Sequence, residues 1–376
     1  MERLITRDLI DWKKQGAKRP LVLQGARMVG KTWILKEFGA RNYDNVAYFD
    51  LKEMPQVCRI FQENKSVEII VKALMLAGGV KIFPEKTLII FDNADQCPEA
   101  VKAFTLGARN YHVAAAVTGF KEISGAEHLK MYPMNFSEFL MAGGNGDVVD
   151  YLQYIEFIEP IAEEFFYPLY ETLRTYFETG GMPEIVKMAV EGRPAVMREA
   201  AMTPIIEANE QAETMEYVVE KFDGMDGGFG EKLDADGEVR RYLLDVGLGN
   251  SVLQIAASAP TEENRIFVGS KGLLAKNYVL ETLMMQLGNV PKFWREGDFG
   301  PEADFVIERD GQVIPVAVKY ARNVKTDSLE AFKGAFPETK LKVIFSLENL
   351  WIQGDVLNIP LFMADQADML MAMALE

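Results

Sequence analysis

The chain has 376 residues, 49% of them hydrophobic, with 40 Lys and Arg against 56 Asp and Glu and a formal net charge of −16. That length and apolar content suit two or three packed domains and exclude a disordered chain, while the acidity works against non-specific binding to nucleic acid or anionic membrane, which attract clustered Lys and Arg. Two cysteines (Cys58, Cys97) outside CxxC or metal-ligand spacing, two separated histidines (His112, His128), no apolar signal core and no bilayer-length apolar run predict a soluble cytoplasmic protein with reduced, structural thiols.

Pro20 to Gln24 reads as a short buried strand. It is followed by Gly25-Ala26-Arg27-Met28-Val29-Gly30-Lys31-Thr32, which fits GxxxxGK[ST], and then by Trp33 to Phe38 at helical spacing. Strand, glycine loop and helix come in the order a phosphate-binding loop requires. The glycines let backbone N–H groups turn inward around phosphate oxygens, and the helix N-terminus adds the positive end of its dipole. Lys31 is expected to reach the β and γ phosphates and Thr32 to place its hydroxyl on Mg2+. The nucleotide-binding set is therefore Gly25, Ala26, Arg27, Met28, Val29, Gly30, Lys31, Thr32 and Trp33.

The alternation continues with a strand at Asn45 to Asp50, a helix near 67–76, a strand at Leu88 to Phe91, a helix near 99–108 and a strand at His112 to Val117. Such βαβ order predicts an α/β fold, a parallel sheet with helices on both faces, and ligands at its carboxyl edge. The apolar run Thr87-Leu88-Ile89-Ile90-Phe91 delivers Asp92 to that edge. Asp92 is the candidate Mg2+ partner, acting through water, and Thr118 the candidate sensor of the γ-phosphate. Their structural alternatives are a helix N-cap or turn residue for Asp92 and a plain strand end for Thr118.

Asn93 follows Asp92 where a carboxylate would polarise the attacking water, a role worth about 100- to 10,000-fold. An amide is not basic at neutral pH but can hold a water in line, as the glutamine of small GTPases does, so the residue predicts slow turnover. Asp95, two residues on, is the candidate substitute.

Val148 to Phe177 carries Ile, Leu, Phe, Tyr and Glu at helical spacing and reads as a small helical lid and linker helix. Phe222 to Gly230 is a flexible loop by composition. Asp234-Ala235-Asp236-Gly237 suggests a calcium loop, but alignment on Gly237 puts Lys232 and Leu243 at the first and last ligand positions, which excludes it. In the C-terminal third, Asp310-Gly311 between two β-rich runs signals a hairpin. The expected segments are 1–145 for nucleotide binding, 146–240 for lid and linker, and 241–376 for a C-terminal α/β domain.

Five stretches together resemble the prokaryotic AAA-type ATP-binding proteins that carry a C-terminal domain of unknown function with a restriction-endonuclease-like core. They are residues 19–32, Leu-Ile-Ile-Phe-Asp at 88–92, Tyr-His-Val-Ala-Ala-Ala at 111–116, Tyr-Pro-Met-Asn-Phe-Ser-Glu-Phe-Leu at 132–140 and Gly-Gly-Met-Pro-Glu at 180–184. The resemblance implies an AAA+ P-loop fold with ATP and Mg2+ as ligands. The family usually has Asp-Glu where this chain has Asp92-Asn93, so the Walker B motif is degenerate. Its winged-helix-like section before Tyr242 to Leu248 is shortened here. AAA proteins assemble because a neighbour's arginine completes the site, so a homo-oligomer is expected. Arg109 is the candidate arginine, against a solvated helix end.

In the nuclease core the order is Asp, then Glu-x-Lys. Asp304 and Lys319 are present, but the glutamate is Ala317 and the acid before Asn277-Tyr278-Val279 is Lys276. One carboxylate beside two lysines is a poor magnesium site, so Asp304 and Lys319 read as a vestigial ion pair in a structural domain. Glu302, on the same strand face as Asp304, is the one acid able to compensate. The leading expectation is an ATP-binding switch with slow or lost hydrolysis. The second is an active ATPase remodelling a protein or nucleic-acid partner, and the third an ATP-regulated metal-dependent nuclease.

Overall fold

A computed structural model of the chain describes residues 2–63, 66–105, 110–222, 238–253, 265–320 and 326–376. The chain divides into two compact units, Met1–Tyr132 with Pro204–Met215 and Pro133–Thr203 with Glu216–Glu376. This differs from the expected segments 1–145, 146–240 and 241–376. Met134 belongs with the second unit because its N–H donates to Gly181 O at 2.7 Å, and Asn209 returns to the first because its side chain bonds to Arg27.

The first unit is built on five strands: β1 (Leu21–Gly25), β2 (Asn45–Asp50), β3 (Thr87–Asp92), β4 (His112–Thr118) and β5 (Glu127–Lys130). They form one parallel sheet in the order β2-β3-β4-β1-β5. Alternate residues of each strand serve opposite faces. Ala47, Phe49, Ile89, Phe91, Val113 and Ala115 pack with Val57, Phe61, Ile70 and Leu74 from helices Pro55–Glu63 and Val67–Gly78. The opposite parity meets helix Lys31–Asn42: a Cβ on Gly39 would lie 2.6 Å from Val46 and 3.2 Å from Leu88. The sheet is thus covered on both faces, as the near-continuous apolar strands require.

Three local expectations need correction. Among the described residues, the helix expected near 99–108 runs from Pro98 to Lys102 and is followed by i→i+3 bonds from Phe104 to Val101 and from Thr105 to Lys102; residues 106–109 lie outside the described residues. Helix Pro55–Glu63 was not expected, although Val57, Ile60 and Phe61 give it an apolar stripe. Strand β5 was also unexpected, because Glu-His-Leu-Lys has no apolar pattern.

In the second unit, β6 (Glu216–Glu220) and β7 (Val239–Leu243) make an antiparallel ribbon. A six-stranded mixed sheet follows, from β8 (Lys292–Arg295), β9 (Glu302–Arg309), β10 (Gln312–Val318), β11 (Lys342–Ser346), β12 (Trp351–Gln353) and β13 (Val356–Pro360). Its order is β12-β13-β11-β10-β9-β8. The Asp310-Gly311 turn is the expected hairpin, with left-handed φ of 50° and 73° joining β9 to β10. The stretch Val148 to Phe177, expected as lid and linker helix, falls on two helices, Gly146–Gln153 and Glu163–Thr179. Among the described residues no helix is long and apolar enough to cross a membrane. Arg109 and the stretches 223–230 and 234–237 lie outside the described residues.

Candidate functional site

Residues 25–33 lie at the carboxyl edge of the first unit's sheet, between β1 and helix Lys31–Asn42. Gly25 must be glycine: its φ is 156°, and a Cβ there would sit 2.2 Å from Met131 O. Gly30 is the helix N-cap, in the left-handed region and without a side-chain cap. The first N–H groups of that helix therefore have no intrahelical acceptor and suit an anion. Met28 is left-handed too, with φ 64°, so it adopts at a cost a bend that glycine makes freely. Met28 and Trp33 are 45% and 48% exposed beside this loop, which leaves both side chains open to a ligand.

Two buried side chains outside the motif hold the loop. Asn209 accepts from the Arg27 N–H at 2.8 Å and donates to Arg27 O at 3.2 Å, while Thr214 Oγ1 donates to its oxygen at 2.7 Å. Arg3 donates to Val29 O at 2.9 Å and to Tyr132 O at 2.8 Å. Lys31 Nζ donates to Gly25 O at 2.8 Å and Ala26 O at 2.6 Å. Burial pushes its ammonium down to about 8, against the opposing pull of Asp92.

Asp92 ends β3 directly beside this loop. Its Oδ2 accepts from Thr32 Oγ1 at 2.7 Å and from Tyr48 OH at 2.8 Å. A hydroxyl and a carboxylate in mutual contact are hard oxygen donors, so Thr32 and Asp92 fit Mg2+. Lys36 lies over the Tyr48 ring at 3.4 Å and fixes its face. Asp92 Oδ1 accepts from the Asn93 N–H at 3.0 Å. Asn93 is left-handed, with φ 52°, a conformation asparagine tolerates better than most residues. Its Nδ2 donates to Asp50 Oδ1 at 2.9 Å. Thr118 pairs in register with Gly25, and its N–H lies 3.4 Å from Asp95 Oδ1.

The structure thus brings Lys31, Thr32, Asp92, Asn93, Asp95 and Thr118 to one sheet edge. It adds Tyr48, Asp50, Asn209 and Arg3, which the sequence reading passed over. Asp50 had a legible signal, since it ends a predicted strand of the same parallel sheet. The contacts of Arg3 and Asn209 span 26 and 182 residues of sequence and left none.

The acids of the second unit have different partners from those expected. Asp304 pairs with Lys276 at 2.5 Å and accepts from the Val318 N–H at 2.7 Å. The ion pair is therefore Asp304–Lys276, not the expected Asp304–Lys319. Lys319 is held instead through its backbone N–H, which donates to Phe345 O at 2.7 Å. Glu302 does share the face of Asp304, but Arg240 binds it at 2.6 Å, and Ala317 is buried in the core. Two carboxylates answered by two cations leave no charge for a metal ion. Among the described residues no group of three His, Cys, Asp or Glu is placed to hold one.

Residues 17–140 match an AAA domain family, and residues 271–362 match a domain of unknown function, DUF4143. No curated protein sequence matches the chain. Among solved structures it is similar to the Walker-type ATPase PABY2304 of Pyrococcus abyssi, at 15% identity over 55% of this chain and 74% of that one, with a TM-score of 0.33. It is also similar to PCH-2 of C. elegans, at 12% identity over 56% and 69%, with a TM-score of 0.31.

Proposed function

We propose, from the AAA-type domain at residues 17–140, that this protein binds ATP with Mg2+ and acts as a nucleotide-dependent switch whose hydrolysis is slow. The reading rests most on the contact of Thr32 with Asp92 at 2.7 Å, directly beside the glycine loop. Lys31 and the helix N-terminus would meet the phosphates, and Thr32 and Asp92 would hold the metal, which supplies charge neutralisation when bound. Tyr48 and the Asn93 N–H keep the Asp92 carboxylate in place. Asn93 puts an amide where a carboxylate would polarise water, which lowers turnover without abolishing the nucleotide site.

The test is a single-turnover assay with radiolabelled ATP and excess protein, scoring nucleotide retained and phosphate released. Retention is expected in the unmodified protein and lost in Lys31→Ala. Phosphate release is expected to be slow, and to rise by roughly 100-fold in Asn93→Glu. Failure of the unmodified protein to retain ATP would sink the reading.

A further inference from the structure

Cys58 and Cys97 are the chain's only two cysteines, far apart in sequence and joined by no shared motif. The fold brings them together. Cys58 lies on helix Pro55–Glu63, and Cys97 is the N-cap of helix Pro98–Lys102. Both side chains belong to the apolar cluster on one face of the first unit's sheet, and the two thiols are joined by a hydrogen bond. Both are free thiols. Their surroundings differ: Cys97 is 2% exposed, whereas Cys58 is half-buried and reaches solvent. Burial pushes the Cys97 thiol up to about 12, which keeps it protonated and unreactive by itself.

The two thiols also hold matching places beyond the sheet's carboxyl edge. β2 and β3 are parallel neighbours that end in register at Asp50 and Asp92. After Asp50, the Met54 N–H donates to Asp50 O at 2.8 Å and the Val57 N–H to Met54 O at 2.9 Å, which leads into Cys58. After Asp92, the Gln96 N–H donates to Asn93 O at 3.0 Å and the Cys97 N–H to Ala94 O at 3.1 Å. Each cysteine thus follows a short turn out of one of two neighbouring strands. A bond between the sulfurs would close a loop of about 40 residues.

We propose that Cys58 and Cys97 are a reversible redox pair, in which hydrogen peroxide oxidises the accessible Cys58 and Cys97 resolves it to a disulfide that staples the segment after β3 to the helix after β2. The Cys58 sulfur attacks one peroxide oxygen and the O–O bond breaks. The departing hydroxide takes the thiol proton and becomes water, and Cys58 is left as a sulfenic acid. The Cys97 sulfur then attacks the Cys58 sulfur, the S–O bond breaks, and the hydroxide leaves with the Cys97 proton as a second water. The two thiols give up two electrons in all, and the peroxide takes up both. An external thiol restores the pair by exchange. The sulfurs must close from hydrogen-bonding contact to about 2 Å, so the bond draws the two segments together.

The test treats the full chain with hydrogen peroxide and maps its peptides by mass spectrometry without reduction. Peptides joined through Cys58 and Cys97 are expected, and dithiothreitol should separate them. In Cys97→Ser, dimedone, which captures sulfenic acids, should label Cys58. In Cys58→Ser, Cys97 should stay unlabelled. Oxidation of the unmodified protein should raise its melting temperature by roughly 5 to 10 °C. It should also slow hydrogen exchange in segments 54–60 and 93–100 several-fold. Dithiothreitol reverses a disulfide but not methionine oxidation, so changes that it undoes belong to the pair. This comparison of oxidised and reduced protein needs no variant to fold. Two thiols that stay reduced, disulfides formed between chains instead, or dimedone on Cys97 would each overturn the inference, as would a 58–97 bond that moves neither melt nor exchange.

Discussion

Lys31 is buried, with its ammonium on the Gly25 and Ala26 carbonyls, and burial lowers it to about 8. Phosphate oxygens take the protonated form, so the sign follows directly: binding pulls a proton onto Lys31 wherever the free protein has lost it. ATP affinity should be level below about pH 7, bend near pH 8 and fall above it by up to about tenfold per pH unit. Titration calorimetry at pH 8.5 in buffers of differing ionisation heat should detect proton uptake. Lys31→Arg, which cannot lose its charge, should bind with no such fall between pH 7.5 and about 9.5. At this scale the motif residues were legible, because Gly25, Gly30, Lys31, Thr32 and Asp92 announce themselves by local spacing and strand ends. Tyr48, Arg3 and Asn209 were not, because their roles arise from register and from contacts across the fold.

The Gly180-Gly181 pair of the Gly180-Gly181-Met182-Pro183-Glu184 stretch shows how part of a motif can be structural. A Cβ on Gly180 would stand 2.0 Å from Asp245 Oδ1, and one on Gly181 would stand 1.9 Å from Met134 O. Asp245 in turn accepts from the N–H groups of Gly181 at 2.6 Å and Leu248 at 2.9 Å. Helix Phe136–Ala142 starts beside this knot with a capping box from Asn135 and Glu138. Three separated stretches thus meet at Gly181, whose O accepts from the Met134 N–H and whose N–H donates to the Asp245 carboxylate. Gly181→Ala must displace backbone and should cost about 3 kcal/mol or more, whereas Gly146→Ala, with nothing within 4 Å, should stay within about 1 kcal/mol. Thermal melts of the two variants would check this, and equal melting temperatures would refute it. Strands β1, β3 and β4 were legible because both their faces are buried and their sequences are apolar almost throughout. Strand β5 escaped notice because it is a half-exposed run of polar residues, and the nature of the second unit's acid pair depended on Arg240, a partner 62 residues from Glu302.

Across the whole molecule, the acids and bases of the second unit that could have held a metal ion are spent on each other, while the proposed nucleotide site draws only on the first unit. Lys31, Thr32, Asp92 and the loop supports Arg3 and Asn209 all fall within Met1–Tyr132 and Pro204–Met215. A ligand that binds only the folded first unit stabilises it by mass action, by about 4 kcal/mol at a thousand times its dissociation constant. The two units should therefore respond unequally to MgATP. The tryptophans divide in the same way: Trp12 and Trp33 lie in the first unit, Trp294 and Trp351 in the second. In a variant with Trp294→Phe and Trp351→Phe, saturating MgATP should raise the fluorescence melt by roughly 10 °C. In one with Trp12→Phe and Trp33→Phe, the melt should move by far less, and Lys31→Ala should abolish both shifts. Equal shifts in the two tryptophan backgrounds would mean that the units unfold as one cooperative body. Nucleotide energy would then reach the acid-paired sheet as directly as it reaches the loop that binds it.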